Sequence, residues 1–133
     1  MKAANTYLMF DGDCREAMEF YQKCIGGELH LMRFSDVDAP GCEAGGDRIL
    51  HAALPVGSAM LMASDIQPGM NLRRGDNFSV SLSCESMEEI QRVFGALSEG
   101  GQVKMALEDT FWGAHFGMLT DRFGIGWMLS YEK

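Results

Sequence analysis

Apolar residues recur along this chain in two rhythms. Short runs that are apolar throughout or at alternate positions predict strands, and spacings of three and four predict helices. Residues 5–10, Asn-Thr-Tyr-Leu-Met-Phe, form the first strand and stop at the turn signal Asp11-Gly12. Asp13, with Glu16 three residues later, opens a helix as a D-x-x-E variant of the capping box. Ala17, Phe20, Tyr21 and Cys24 then stand at i, i+3, i+4 and i+7, one apolar face that puts Phe20 and Tyr21 in the core. Gly26-Gly27 ends the helix. Strands follow at 28–34, 48–56 and 59–64, the last two joined by a tight turn at Gly57-Ser58. Between the first two lies a polar, Gly-rich loop at 35–47 around Pro40.

The pattern then repeats. Residues 67–76, with Pro68-Gly69 and Arg73-Arg74-Gly75, read as a linker, and 77–84 as a strand. Ser86 and Glu89 make a second capping box, and Ile90, Val93, Phe94 and Leu97 give a second helical face before Gly100-Gly101. A shift of 73 residues lays Asp13 on Ser86, Ala17 on Ile90, Phe20 on Val93, Tyr21 on Phe94 and Cys24 on Leu97. The second helix gains one residue before its Gly-Gly stop. A strand at 103–107 and a closing hairpin complete the half. In the hairpin, runs at 115–120 and 127–131 flank Asp121-Arg122-Phe123-Gly124, where the Asp carboxylate caps backbone N–H groups and Gly supplies a positive φ.

Each half is therefore strand, helix and three strands. At 133 residues this is one domain, 1–133, of the α+β class: module one at 1–66, linker at 67–76, module two at 77–133. Each module has one sheet face under its helix and one bare. Two paired βαβββ modules would curl into a mixed-sheet cup with the helices on the outer face. In the first strand Tyr7 and Met9 are assigned to the helix and Thr6, Leu8 and Phe10 to the cup. The repeat then sends Ser79, Ser81 and Ser83 inward and Phe78, Val80 and Leu82 to the helix, while in the last strand Met128 and Ser130 face the cup.

Composition narrows the function. The formal charge of −8 has no basic stripe to offset it, and Arg73-Arg74 is the densest basic spot. Nucleic acid, whose phosphates need clustered cations, is not expected as a partner. Neither is a membrane: no apolar run is long enough to span one, and the first residues lack a signal-peptide core. A cytoplasmic protein is expected. Cys14, Cys24, Cys42 and Cys84 show no C-x-x-C spacing and receive no catalytic role; Cys24 falls on a core face and Cys42 in the Gly-rich loop. Eleven methionines, among them Met9, Met32, Met60, Met62, Met118 and Met128 in strand-like runs, suggest a pliable apolar interior.

Strand, Asp-Gly-Asp-Cys-Arg-Glu-Ala-Met-Glu-Phe-Tyr at 11–21, a Gly-Gly stop, and Phe-Trp-Gly…Phe-Gly-Met-Leu-Thr-Asp-Arg-Phe-Gly-Ile-Gly-Trp at 111–127 resemble the PhnB-like branch of the vicinal oxygen chelate superfamily. Glyoxalases, extradiol dioxygenases and bleomycin-resistance proteins belong to that superfamily. The resemblance covers essentially the whole chain and implies paired βαβββ modules and a homodimer. Superfamily enzymes hold one divalent metal with His, Glu or Gln side chains on inward strand positions. Carried onto this sequence, those positions fall at Thr6, about Met62, Ser79 and Met128, none an imidazole or carboxylate. The expectation is a chain with no metal and no other cofactor.

The expected ligand set is Thr6, Leu8, His51, Met62, Ser79, Ser81, Trp112, His115 and Met128. His51 reads equally as a polar anchor or general base in the cup and as a hydrogen-bonded structural histidine. His115 beside Trp112 is assigned to the cup mouth, and His30 to a structural role. Three functions follow in order. The first is a protein binding a small hydrophobic or antibiotic-like molecule. The second is a divalent-metal-dependent lyase, isomerase or dioxygenase with displaced ligands. The third is a methyltransferase, a label attached to PhnB-like sequences, against which stands the lack of a strand followed by G-x-G-x-x-G.

Overall fold

In a computed structural model of the chain, residues 1–37 and 45–133 are described. Cys42 and Pro40 lie outside them. Eight strands and two α-helices follow in the order β1 (Thr6–Phe10), α1 (Cys14–Ile25), β2 (His30–Arg33), β3 (Ile49–Val56), β4 (Ala59–Asp65), β5 (Val80–Ser83), α2 (Met87–Ser98), β6 (Gln102–Asp109), β7 (Ala114–Thr120) and β8 (Gly126–Glu132). The contacts divide the chain into two compact units, Met1–Arg73 and Arg74–Lys133. Each unit is a βαβββ module with its own four-stranded mixed sheet. The strand order is β1-β4-β3-β2 in the first and β5-β8-β7-β6 in the second, the same topology twice. In each, the first strand pairs in parallel with the fourth and the other pairs are antiparallel. The α+β class and the duplicated module follow the sequence pattern.

The helices also keep the repeat. α1 and α2 are both 12 residues long and begin and end 73 positions apart, so the extra residue of the second half is Glu99, the C-cap of α2, and not part of the helix. α1 buries Cys14, Ala17, Met18, Tyr21 and Cys24. Phe20, expected in the core, is only half-buried, and Met18 takes its place on the face. α2 buries Ile90, Val93, Phe94 and Leu97 as its spacing requires.

The two N-termini are closed differently. At α2 the box forms: the Ser86 hydroxyl accepts the Glu89 N–H at 3.0 Å, and a Glu89 oxygen accepts the Glu85 N–H at 2.9 Å. At α1 the Asp13 side chain makes no cap hydrogen bond. The cap is Asp65, from the end of β4, which accepts the N–H groups of Gly12 at 2.7 Å and Cys14 at 3.0 Å. A distant carboxylate thus replaces the local one that the sequence offered.

Strand limits shift where hydrogen-bond partners run out. The run expected at 28–34 is paired with β3 only over His30–Arg33, and Phe34–Asp36 winds into a 3₁₀ turn closed by Asp36, which accepts the Arg33 N–H at 2.9 Å. The strand expected at 77–84 pairs with β8 only over Val80–Ser83. Ser79 precedes it, and Phe78, expected against the helix, is exposed.

Candidate functional site

Asp65 and Gly27 mark which face of the first sheet lies under α1. Asp65 caps the helix, and a Cβ on Gly27, just past its end, would meet the Leu54 side chain at 3.3 Å. Cross-strand partners share a face. The register Thr6–Leu61–Leu54 and Leu8–Ala63–Ala52 therefore places Thr6 and Leu8 on the covered face, where Leu8 is 4% exposed and Phe10 fully buried. This corrects the expected sense of β1. Tyr7 and Met9, assigned to the helix, stand on the open face with Met62, Ser64, Ala53 and His51.

In the second sheet the sense is as expected. A Cβ on Gly117 would meet Phe94 of α2 at 2.8 Å, which fixes the face of Gly117, Leu119, Trp127 and Leu129 as the covered one. The open face holds Ser81 paired with Met128, and Ser83 paired with Ser130, with Met118 and Phe116 beyond them on β7. Trp112, in the turn between β6 and β7, is 59% exposed, with its ring centroid 6.2 Å from that of Phe116 and 5.0 Å from that of Phe111.

The two histidines of interest differ in setting. His51 sits on the open face, half-buried, with Nδ1 3.3 Å from the Tyr7 hydroxyl and ring centroids 5.9 Å apart. His115 has the strand parity of Gly117, on the covered side of β7, and its Nδ1 lies 2.9 Å from Asp109 Oδ1. Lys133 Nζ approaches the same oxygen at 2.7 Å. The hydrogen bonds from Lys133 and then His115 hold the Asp109 carboxyl below the usual range. His115 is thus clasped at a sheet end and is not grouped with Ser81 and Met128. His30 is exposed, with Nε2 3.8 Å from Glu28.

Thiol chemistry has little support. Burial, then the Asp65 and Asp13 charges, push the Cys14 thiol up to about 12, and burial lifts Cys84 to about 11. Neither is a thiolate at neutral pH. Among the described residues no three His, Cys, Asp or Glu side chains gather in a group that could hold a metal ion. The first open face carries Tyr7, Met62 and Ser64 with the imidazoles of His51 and His30, and the second carries Ser81, Ser83 and Met128 with Glu108, the register partner of Phe116. Among the described residues these side chains do not gather into the imidazole and carboxylate clusters that hold the divalent ions of the superfamily.

Tyr7, Met9 and Ser64 are among the open-face residues absent from the expected ligand set. Residues 6–10 are almost wholly apolar, so alternation leaves the sense of the strand open. The helix offset of 73 does not extend to β1, where the exposed pair Tyr7 and Met9 matches Ser81 and Ser83 only at a shift of 74. A one-residue slip turns every side chain to the other face.

Comparison with known proteins agrees with this architecture. Residues 2–130 match the model of the family described as 3-demethylubiquinone-9 3-methyltransferase. Protein YjdN of Escherichia coli is 32% identical, covering 96% of this chain and 93% of its own. Among solved structures, protein PA1353 from Pseudomonas aeruginosa is 45% identical with a TM-score of 0.88, covering 99% of this chain and 98% of its own. The PhnB protein from Bacillus cereus, described as a putative 3-demethylubiquinone-9 3-methyltransferase, is 28% identical with a TM-score of 0.77, covering 98% and 99%. At 14% identity and a TM-score of 0.66, a glyoxalase/bleomycin resistance protein/dioxygenase family enzyme from Burkholderia phytofirmans shares the fold alone, over 98% of this chain and 100% of its own. No helix among the described residues is long and apolar enough to cross a membrane. Duplicated βαβββ modules, matched from end to end by these relatives, make this chain a member of the PhnB-like family described as 3-demethylubiquinone-9 3-methyltransferase, with the glyoxalase/bleomycin resistance/dioxygenase fold.

Proposed function

We propose that the protein binds a small, largely apolar organic molecule without the help of a divalent metal. The observation that carries this reading is the chemistry of the open sheet faces. The positions that the resemblance assigns to the superfamily's metal ligands hold Thr6, Met62, Ser79 and Met128, and the open faces carry the couples Tyr7–Met62 and Ser81–Met128. Flexible thioethers adapt to varied apolar shapes, and a few polar groups among them set orientation. The proposed ligand residues are His51 and Met62 on the open face of the first unit, joined by Tyr7 and Met9 in place of Thr6 and Leu8, and, separately, Ser81, Trp112 and Met128 in the second unit. Ser79 and His115 are peripheral to them. The protein is taken to be a cytoplasmic homodimer; light scattering tests the dimer by giving twice the chain mass.

The family description favours methyl transfer as a second reading. A methyl donor with a nucleoside is held in many enzymes by a Gly-rich turn after the first strand of a parallel sheet. Here that turn is Asp11-Gly12-Asp13, and each sheet has one parallel and two antiparallel pairs. Saturable binding of S-adenosylmethionine would favour this reading over simple binding.

Metal content by inductively coupled plasma mass spectrometry, on untagged protein purified without chelator, is the deciding experiment. It is repeated after incubation with Zn²⁺, Ni²⁺, Mn²⁺ or Fe²⁺ and dialysis. Far less than one ion per chain is expected. Near-stoichiometric metal that survives dialysis overturns the proposal and favours a lyase, isomerase or dioxygenase with displaced ligands. A thermal-shift screen of small apolar and antibiotic-like molecules then tests binding itself.

A further inference from the structure

We infer that Tyr7 and His51 form the polar anchor for a flat aromatic ligand bearing one weakly acidic hydroxyl, a phenol, on the open face of the first sheet. This rests on the binding reading above and adds the ligand's chemical class. β1 and β3 are not paired; β4 lies between them. Tyr7 reaches across it to bring its hydroxyl 3.3 Å from His51 Nδ1, with the two rings tilted by 36°. The side chain that makes this reach is still 45% exposed, so the polar pair is accessible and not sealed into the core.

The chemistry of the pair matches a hydroxyl. With the imidazole proton on Nε2, the Tyr7 hydroxyl donates to Nδ1, its oxygen keeps an accepting lone pair, and Nε2–H remains a donor. A phenol hydroxyl both donates and accepts, and satisfies both. The surroundings suit the ring: Met9 and Met62 share the face, and thioether sulfur packs favourably against aromatic edges. Ser64, itself buried, donates to Met9 Sδ at 3.5 Å and so holds that thioether beside the anchor. A fully ionised ligand is less suited. The one arginine of the four strands, Arg33, is held by Asp36 at 3.0 Å and Asp47 at 3.6 Å, and the chain carries a formal charge of −8. The other titratable side chain that the register puts on this face is His30, beside Glu28.

The test compares 4-methylphenol, which is un-ionised at neutral pH, with toluene, the same ring without the hydroxyl, by isothermal titration of the full chain. The native protein is expected to bind 4-methylphenol about tenfold or more tightly than toluene, the worth of one or two net hydrogen bonds. Tyr7→Phe keeps the ring and should erase that preference while leaving toluene affinity unchanged. His51→Gln is a second, independent variant expected to act in the same way. Equal affinity for the two probes, or a preference kept in both variants, overturns the anchor while leaving binding itself intact. If neither probe binds, the phenol class is wrong, and the thermal-shift screen decides separately whether the protein binds small molecules at all.

Discussion

Asp65 Oδ1 accepts the backbone N–H of Cys14 at 3.0 Å, tying the last residue of β4 to the first residue of α1 across 51 positions of sequence. The same oxygen accepts from Gly12 at 2.7 Å, and Oδ2 from Ile49 at 2.8 Å, so one carboxylate that is 3% exposed closes three strand and helix ends. Asp65→Ala would leave those N–H groups unpaired in or near the core. At roughly 1–3 kcal/mol for each unsatisfied buried group, a loss of at least ~3 kcal/mol is expected. Asp13→Ala, at the position that looked like the cap, is expected to cost less than ~1 kcal/mol, since no side-chain cap bond is lost. Urea unfolding of the two variants checks this; equal losses would mean that Asp13 shares the capping role.

Asp121 plays a comparable part in the second unit. Its Oδ1 accepts from Phe123 and Ile125 at 2.8 and 3.0 Å, and its Oδ2 from the indole N–H of Trp127 at 2.8 Å. Asp121→Ala leaves the fully buried Trp127 donor without its partner and should cost ~2–4 kcal/mol. In a Trp112→Phe background, where Trp127 is the sole tryptophan, its emission should shift to the red and become quenchable by acrylamide. Unchanged emission would show that the hairpin holds without the carboxylate.

These two aspartates show what was legible and what was not. Asp121 sits two and four residues from the N–H groups it caps, so a turn signal in the sequence is enough to find it. Asp65 acts over 51 positions, and nothing local distinguishes it from a strand-end carboxylate beside a Pro-Gly loop. The helices were readable as elements because their apolar faces alternate with charge, although Met18 and not Phe20 is buried and Asp13 is not the cap. β1 was readable as a strand but not in its sense, because Thr-Tyr-Leu-Met-Phe is nearly apolar on both sides. Only pairing with Leu61 and Ala63 decides that Leu8 is buried and Tyr7 is not. The open-face anchor was missed for that reason, although His51 itself was identified.

Asp109 should respond to acid and not to the neutral range. Its folded pKa is lowered by Lys133 and His115. A carboxyl lowered in this way adds stability above its unfolded value, and loses that contribution as pH falls through the folded one. The clasp is therefore intact at neutral pH and opens only below about pH 4, the ordinary aspartate value. A nuclear magnetic resonance titration of the His115 ring from about pH 5 to pH 2 should show a step that Asp109→Asn abolishes. Because Asp109 is exposed, the unfolding midpoint at neutral pH should hardly move in that variant.

The raised thiols make a labelling prediction. At pH 8, native protein treated with iodoacetamide should leave Cys14 and Cys24 unmodified and react only slowly at Cys84, since the first two are buried and Cys84 titrates near 11. Peptide mapping reads each site separately. Rapid alkylation of Cys14 would mean that α1 opens from the sheet on the labelling timescale, and would undo its description as a core side chain.

Glycines on either side of the α2 stop should respond to alanine in opposite directions. Gly95 lies within the helix with nothing within 4 Å of an added Cβ, so Gly95→Ala removes backbone freedom from the unfolded chain and should stabilise by ~0.5–1 kcal/mol. At Gly101 the added Cβ would sit 2.3 Å from the Thr120 carbonyl oxygen and 2.9 Å from the Asp121 backbone. Backbone cannot rotate aside as a side chain can. Gly101→Ala must push β6 from the end of β7, displacing Asp121 from the three N–H groups it caps, and a loss of ~3 kcal/mol or more is expected. Urea unfolding of the two variants measures both signs in one protein. A neutral Gly101→Ala would show that the start of β6 can shift without disturbing the Asp121 turn, so that the Gly-Gly stop and the closing hairpin are not mechanically linked.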